Sequence, residues 1–498
     1  MKKLYFFLLI PLLWSCKRQN DILPAKTNVP DGKLQTRSGG DGKWDLLGYG
    51  LDVTGDLLNA SSVSDAPIFD MTRFTTDYLS RIDVNTTTEG SEQYYGGATA
   101  WDYMRDVSSK KSFDINGTSN PKIEGAKQDD KTTNLFTGSL SVNSSDENKT
   151  SYSSRYSYAT YEVSQKIKRI RFTGDVTTAL LINYLTPEFV NNVATLTADQ
   201  LVARYGTHVM LDISIGGRLR FNYSGAMLTE NDYTQKTSDV KIGLGVSVLN
   251  AVGINLSADK SKAQITQVTT ATSQKEYSIK FYGGTNSGRT IAVDKDGNTS
   301  ETINIGSWQS SISVTNAALI DVGNALYLYD FIADPAKKAL VKAAVEKHIS
   351  DKQITLAPQE VYEFSTPKFG RHAYNLDPNM YVKYLSDGWH PNGQPFKAYS
   401  TPYNNAVPIY QLYSTQLNDR ILCPNPNPGW AGYTCNGQVD VICYAYTTNI
   451  PGTVPVYSFR SQGGSGKNAY EDHYYSTNKT PYDASWTNDG AAFYAFAN

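Results

Sequence analysis

The chain has 498 residues, enough for two to four domains at roughly 100 to 200 residues each, and its 46 Lys and Arg against 48 Asp and Glu leave a formal charge of −2. That balance lacks the dense basic footprint of a nucleic-acid binder and argues against nucleic acid as a partner. Tyrosine is far more frequent than histidine or methionine (35 against 5 and 6), a texture common in β-rich exported proteins.

Met1 to Cys16 reads MKKLYFFLLIPLLWSC, with a basic start at Lys2 and Lys3 and an apolar run from Leu4 to Leu13 that is too short to span a bilayer. Leu13-Trp14-Ser15-Cys16 resembles a bacterial lipobox, departing from it in the bulky Trp14. The resemblance implies a signal peptide over residues 1–16 and lipidation of Cys16, hence an exported protein anchored at the outer membrane or cell surface, or released from it. Residues 17–42, with Pro24, Pro30 and Gly39-Gly40, read as a flexible leash.

Residues 43–350 mix helical and strand-like stretches, as an α+β domain does. Phe136, Gly138, Leu140 and Val142 alternate, a charged turn follows at Asp146, Glu147 and Lys149, and Tyr152, Tyr156 and Tyr158 share a face suited to a membrane interface. Pro187 to Val202 is helical in pattern, and Gly206 is placed to end the helix from Ala198 to Arg204. Thr207 and His208 then offer polar groups to fix that helix against the next strand, His208 as a packing residue rather than a catalyst. Gly216-Gly217 interrupts the strand from Met210 to Tyr223, where a bend or a close backbone approach is expected. From Val240 the chain alternates: Val240, Ile242, Leu244, Val246 and Val248, a break at Asn250, then Val252, Ile254, Leu256 and Ala258. The first arm has the length of a transmembrane β-strand, roughly 9 to 11 residues. Ala333 to Ile349 reads as an amphipathic helix started by Asp334 and Pro335, with Leu340, Ala343, Ala344 and His348 on one face.

Tyr205-Gly206-Thr207-His208-Val209, followed after six residues by Gly216-Gly217, resembles the signature of the membrane-attack-complex/perforin (MACPF) family, departing only in Val209 where Phe or Tyr is usual. Leu47-Gly48-Tyr49-Gly50-Leu51-Asp52 is similar to that family's opening strand and Pro187 to Ala203 to its helical lead-in, so the likeness covers roughly Trp44 to His348. It implies a cytolysin-like fold, a bent antiparallel sheet flanked by helical clusters, of the bacterial lipoprotein type found in Bacteroides. It also implies that the segments near Leu135 to Tyr161 and Thr229 to Thr272 are helical in the soluble form and refold into membrane hairpins. The face meeting lipid would be Val240, Ile242, Leu244, Val246, Val248, Val252, Ile254 and Leu256. Exposed strand edges cannot face lipid, so insertion implies a homo-oligomer on the membrane.

Residues 355–498 are all-β in texture and hold three units at a period of about 48 residues. Each opens on an aromatic strand (Val361 to Phe364, Ile409 to Leu412, Val456 to Phe459), passes a position held by His372, Arg420 or His473, then a tryptophan (Trp389, Trp430, Trp486), and closes on Phe396 to Tyr399, Cys443 to Tyr446 or Phe493 to Phe496. The repeat predicts a pseudo-threefold module, a β-trefoil first and a β-prism second. The last two units, with Val-Pro-Val-Tyr and Asp472-His473-Tyr474-Tyr475-Ser476, resemble a bacterial repeat module appended to secreted proteins, which implies a targeting unit for a glycan or surface receptor. Trp389, Trp430 and Trp486 are expected in its core more than on its surface. Cys443 falls where the other units have Phe and reads as a buried apolar residue, leaving Cys423 and Cys435 as the candidate disulfide. No metal-ligand spacing, cofactor motif or catalytic constellation stands out, so a non-enzymatic role is expected, by pore formation or, alternatively, by non-lytic adhesion.

Overall fold

The computed structural model describes residues 40–55, 60–110, 151–153, 156–227, 233–253, 272–294, 296–299, 301–366, 371–376, 384–430, 432–435, 437–464 and 470–498. Cys16 with its signal segment and the leash as far as residue 39, most of the segment from Leu135, and Ile254, Leu256 and Ala258 lie outside the described residues.

The first part of the chain runs β1 (Tyr49–Leu51), β2 (Val63–Pro67), α1 (Met71–Tyr78), β3 (Ile82–Asn85), β4 (Glu89–Gly97), α2 (Ala100–Lys110), β5 (Ser151–Ser153), β6 (Tyr156–Phe172), α3 (Thr178–Leu181), α4 (Pro187–Thr195), α5 (Ala198–Tyr205) and β7 (His208–Met227). It continues with α6 (Tyr233–Val252), β8 (Thr272–Tyr282), β9 (Thr290–Ala292), α7 (Ile305–Ser310), β10 (Ala318–Tyr327) and α8 (Pro335–Asp351), and β11 (Thr355–Ala357) leads out of it.

Its main sheet is antiparallel and centred on β6 and β7, paired from Tyr156↔Ala226 to Arg171↔Asp212. Every outer partner changes half-way along them. On β6, β3 pairs at Arg169 to Phe172 and β4 at Tyr158 to Lys166. On β7, β10 pairs from His208 to Gly216 and β8 from Arg218 to Met227. Two halves of this nine-stranded sheet therefore share only the two central strands, the first adding β3, β10, β1 and β2 and the second β4, β8 and β9. Each half has its own core: Phe69, Phe74, Phe189, Tyr205, Phe331 and Val341 pack the first, and Tyr161, Phe221, Tyr223, Phe281 and Trp308 the second.

Local chemistry sets the helix limits. Thr197 separates the single helical stretch read from sequence into α4 and α5, because it forms a reciprocal capping box with Gln200. Asp334 caps α8 by accepting from Lys337 N. The buried face of α8 is Val341, Val345 and Ile349, while Leu340 is 62% exposed. The expected stripe was thus one residue out of phase, since both sets have helical spacing and only the packing partner distinguishes them.

The second part, β12 (Gln359–Thr366) to β20 (Thr487–Ala495), is three three-stranded antiparallel sheets. Their strands are β12, β13 (Arg371–Asn375) and β14 (His390–Ala398); β15 (Val407–Ser414), β16 (Asp419–Cys423) and β17 (Val441–Ala445); and β18 (Val454–Gly463), β19 (Tyr470–Ser476) and β20. The opening strand is central in each unit. The repeat register holds: Val361, Ile409 and Val456 share one buried core with Phe396, Cys443 and Phe493. Among the described residues strand pairing joins the sheets only at the bridges Lys397↔Phe496, Tyr399↔Tyr444 and Tyr446↔Tyr494. The module is thus an all-β region of small sheets around a common core, and the β-trefoil is unconfirmed.

The tryptophans do not behave alike. Trp389 is buried, Trp486 half-buried and Trp430 55% exposed. Cys423, Cys435 and Cys443 are all free, which corrects the expected Cys423–Cys435 disulfide. Both sulfurs sit at one small apolar cluster with Leu412 and Ile421, but Cys423 Sγ accepts from Asn425 N (3.4 Å) and Cys435 Sγ donates to Gly437 O (3.8 Å).

Candidate membrane-inserting site

The signature residues form a joint between α5, β1, β7 and β10. Gly206 ends α5 at φ 75°, donates to Val202 O (2.8 Å), and lies where a Cβ would overlap the backbone of Leu51 and Asp52. Thr207 Oγ1 donates to Leu51 O (3.2 Å) and accepts from Val53 N (3.2 Å), while Leu328 N donates to Thr207 O (2.9 Å). The His208 imidazole is buried against the Tyr327 ring (4.3 Å) with Nδ1 2.9 Å from Thr207 Oγ1, and burial holds its pKa down to about 3. Burial of this kind favours the neutral imidazole packed against Tyr327. Across the joint, His348 on α8 meets Asp52 Oδ2 at 2.9 Å. Burial alone would raise Asp52, but the hydrogen bond and charge of His348, with bonds from Thr54, hold it below the usual carboxylate range.

Gly216 and Gly217 fall where β7 changes partner from β10 to β8, opposite a bulge in β6 between Lys166 and Lys168. A Cβ on Gly216 would overlap the carbonyl oxygen of Gln165, and one on Gly217 would overlap Ile312 beside Trp308. Neither has positive φ, so close approach is what requires glycine here. Just past the bend, Glu162 on β6 bonds Arg220 Nε (2.6 Å) and pairs with Arg218 (3.3 Å), all three being buried. Glu162 and Arg218 border a polar cleft of about 480 Å³ that also takes in Lys166, Arg169 and Asp321.

Beyond the bend each central strand has one polar and one apolar face. On the apolar side lies α6: Val240, Leu244, Val248 and Ala251 pack with Tyr161, Phe221 and Tyr223. Ile242 is also buried, Val246 and Val252 are half-buried, and Lys241 is exposed with Nζ 5.0 Å from the Tyr94 ring. Positions 240, 244 and 248 serve a helix at four-residue spacing and a strand at every second step, so one sequence satisfies both periods. Gly243 lets the helix press onto Tyr223, where a Cβ would strike the ring. On the polar side lies α2, whose Tyr103 hydroxyl is 2.8 Å from Thr160 Oγ1, which in turn donates to Asn222 (2.8 Å).

Both helices interrupt hydrogen-bonded antiparallel neighbours: α2 lies between β4 and β6 in the chain, α6 between β7 and β8. Each insertion thus stands where a hairpin loop would be, and extending the existing registers would make it a hairpin. The MAC/Perforin domain profile matches residues 42–355, most of the chain. This chain belongs to the MAC/Perforin family. A second profile, a domain of unknown function (DUF5648), matches residues 360–496, the threefold module.

Among solved structures, this MACPF chain is similar to a putative cell invasion protein with a MAC/Perforin domain from Bacteroides thetaiotaomicron, at 16% identity and TM-score 0.45 over 69% of this chain and 68% of that one. It is also similar to GNIP1Aa from Chromobacterium piscinae, at 12% identity and TM-score 0.43 over 91% and 81%. No curated protein matches.

In the module, the repeated polar position links units rather than filling one. His372 Nδ1 meets Asp472 (2.7 Å), His473 Nδ1 meets Asp419 (2.5 Å), and Arg420 lies on the rings of Trp389 and Tyr413 (5.1 and 4.7 Å). Asp419, Glu471 and His473 bring donor atoms within 4.8 Å of one another, close enough for one metal ion. They come from two repeats, so no ligand spacing in sequence announces them, and the Asp419 carboxylate is already bonded by His473 and by Tyr433 (2.5 Å). Burial pushes Glu363, beside His372, up to about 7.

Proposed function

We propose that this protein is a membrane-inserting, pore-forming MACPF lipoprotein that acts as a homo-oligomer on bacterial or host membranes. The observation that carries the reading is α6, a helix inserted between paired strands whose buried residues Val240, Leu244 and Val248 also belong to one face of a strand. Membership of the MAC/Perforin family supports it, because membrane action by self-assembled copies is what that fold implies. In the proposed sequence, the second half of the sheet swings about Gly216-Gly217, the insertions leave its two faces, and they extend β4–β6 and β7–β8 into hairpins. The even-numbered positions of the α6 segment then meet lipid. The lipid on Cys16 would hold the chain at a membrane, and the module would supply any glycan or receptor specificity.

The test compares two positions that the soluble helix leaves at least partly open. Leu244 is unsuitable, because its complete burial means that a charge there would unfold the resting state as well. Val246 is half-buried on the lipid-facing register and Lys241 is exposed on the opposite one. Val246→Arg is expected to abolish dye release from liposomes with the fold retained, since a basic charge near the bilayer midplane costs about 2–4 kcal/mol. Lys241→Glu should retain release. If folded Val246→Arg permeabilises as well as the parent, this segment does not enter lipid.

A further inference from the structure

The three bridges that join the module's sheets close a ring at one end of it, with paired backbone bonds between Lys397 and Phe496 (2.9 Å each way), Tyr399 and Tyr444 (3.1 and 2.8 Å), and Tyr446 and Tyr494 (2.9 and 2.7 Å). Aromatic side chains cover that end: Tyr399 meets Tyr403 at 4.9 Å and Phe496 at 5.3 Å, and Phe496 meets Tyr446 at 6.3 Å. Such a surface would be an exposed apolar patch if nothing lay on it.

What lies on it is α2. Ala100, Tyr103, Met104 and Val107 form one continuous buried cluster with Tyr399, Tyr444 and Tyr446 of the module and with Ile354 and Leu356 of the connector. Trp101 stands edge-on to Tyr403, ring centroids 5.1 Å apart. At the other end of the same insertion, connector strand β11 pairs in parallel with β5, Thr355↔Ser151 to Ala357↔Ser153. The module and its connector therefore touch the first insertion near both ends. The second insertion differs: the cluster that buries α6 contains no residue of the module or connector.

We propose that the C-terminal module is an autoinhibitory latch on the first insertion. It holds α2 and β5 against the sheet, so α2 leaves only when the module's aromatic end is drawn away, whereas α6 is restrained by its own domain alone. Displacing the module, as by engagement of a surface, releases the first insertion. The latch rests on the pore-forming reading for its purpose, but its contact is testable without a membrane.

Hydrogen exchange read by mass spectrometry on the full chain in solution provides that test. Tyr403→Ala and, separately, Trp101→Ala truncate the two half-buried faces of the contact without entering either core. Each should speed exchange in peptides covering α2 by at least about tenfold, leaving those from α6 and β18 unchanged. Tyr482→Ala, at an exposed ring elsewhere on the module, should leave α2 as in the parent. The same two contact variants should shorten the lag before dye release. Unchanged α2 exchange in both overturns the latch, and so does faster exchange with an unaltered lag. A parent chain that releases no dye sinks the pore-forming reading instead, with α2 exchange still deciding for or against the clamp.

Discussion

At the scale of single residues, Thr207 and His208 are where an exposed-looking polar motif turns out to be internal wiring. Thr207 N still bonds Leu51 O without the hydroxyl, but Val53 N and His208 Nδ1 both lose it as a partner, which is why Thr207→Val should cost about 1–3 kcal/mol in urea unfolding. His208 adds a pH dependence of definite sign. Its folded pKa lies near 3, below the unfolded value of about 6.5, so the unfolded chain takes up a proton first as pH falls. The stability it contributes is complete above that unfolded value and is lost between there and pH 3, at up to about 1.4 kcal/mol per pH unit. His208→Phe keeps a ring against Tyr327 and removes the titration. Between pH 7 and 5 the parent should therefore lose more stability than the variant, by up to about 2 kcal/mol. Equal losses would show that His208 is not held neutral.

Among the elements, β7 and α6 show how much depends on what a segment packs against. The glycine pair in β7 marks the place where the sheet exchanges outer partners, but its two members differ. Gly216 faces a main-chain carbonyl on β6, which cannot move without parting the central strands, whereas Gly217 faces the far ends of Ile312 and Trp308 side chains. Gly216→Ala should accordingly lower the melting temperature more than Gly217→Ala, overpacking costing roughly 1–3 kcal/mol where nothing yields. Scanning calorimetry of the two variants side by side checks this, and an equal or reversed order would place the rigid contact elsewhere. In α6, alternation was the visible pattern and helix the resting conformation, because Gly243 fits Tyr223 and every fourth residue meets an apolar sheet face.

Seen whole, the molecule is two architectures joined through α2 and β11, with the anchor proposed at the opposite end of the chain. If Cys16 carries lipid, Cys16→Ala should remove both fatty-acid label and membrane retention on cell fractionation, since the run before it is too short to span a bilayer. Equal label and retention in the variant would remove the lipoprotein reading. The module contributes its threefold core, its unpaired cysteines and its interlocking His–Asp contacts, all of them made between its own residues. Its aromatic end shares a buried cluster with the MACPF part.

What could be read from the sequence was chemistry that acts over a few residues or repeats at a fixed interval. Asp334 and Gly206 mark helix ends because a side-chain oxygen or a positive φ satisfies backbone groups locally. The module's repeat was legible because Val361, Ile409 and Val456 fill equivalent places in one core. The family signature was legible because its spacing and residue types agree together. Tertiary structure alone decided which stripe of α8 is buried, that Trp389 is covered while Trp430 is not, that Cys423 and Cys435 are free, and that α2 lies beneath the module. Each of those turns on which distant surface arrives, and a residue pattern with two permitted periods or two equivalent faces carries no information about its partner.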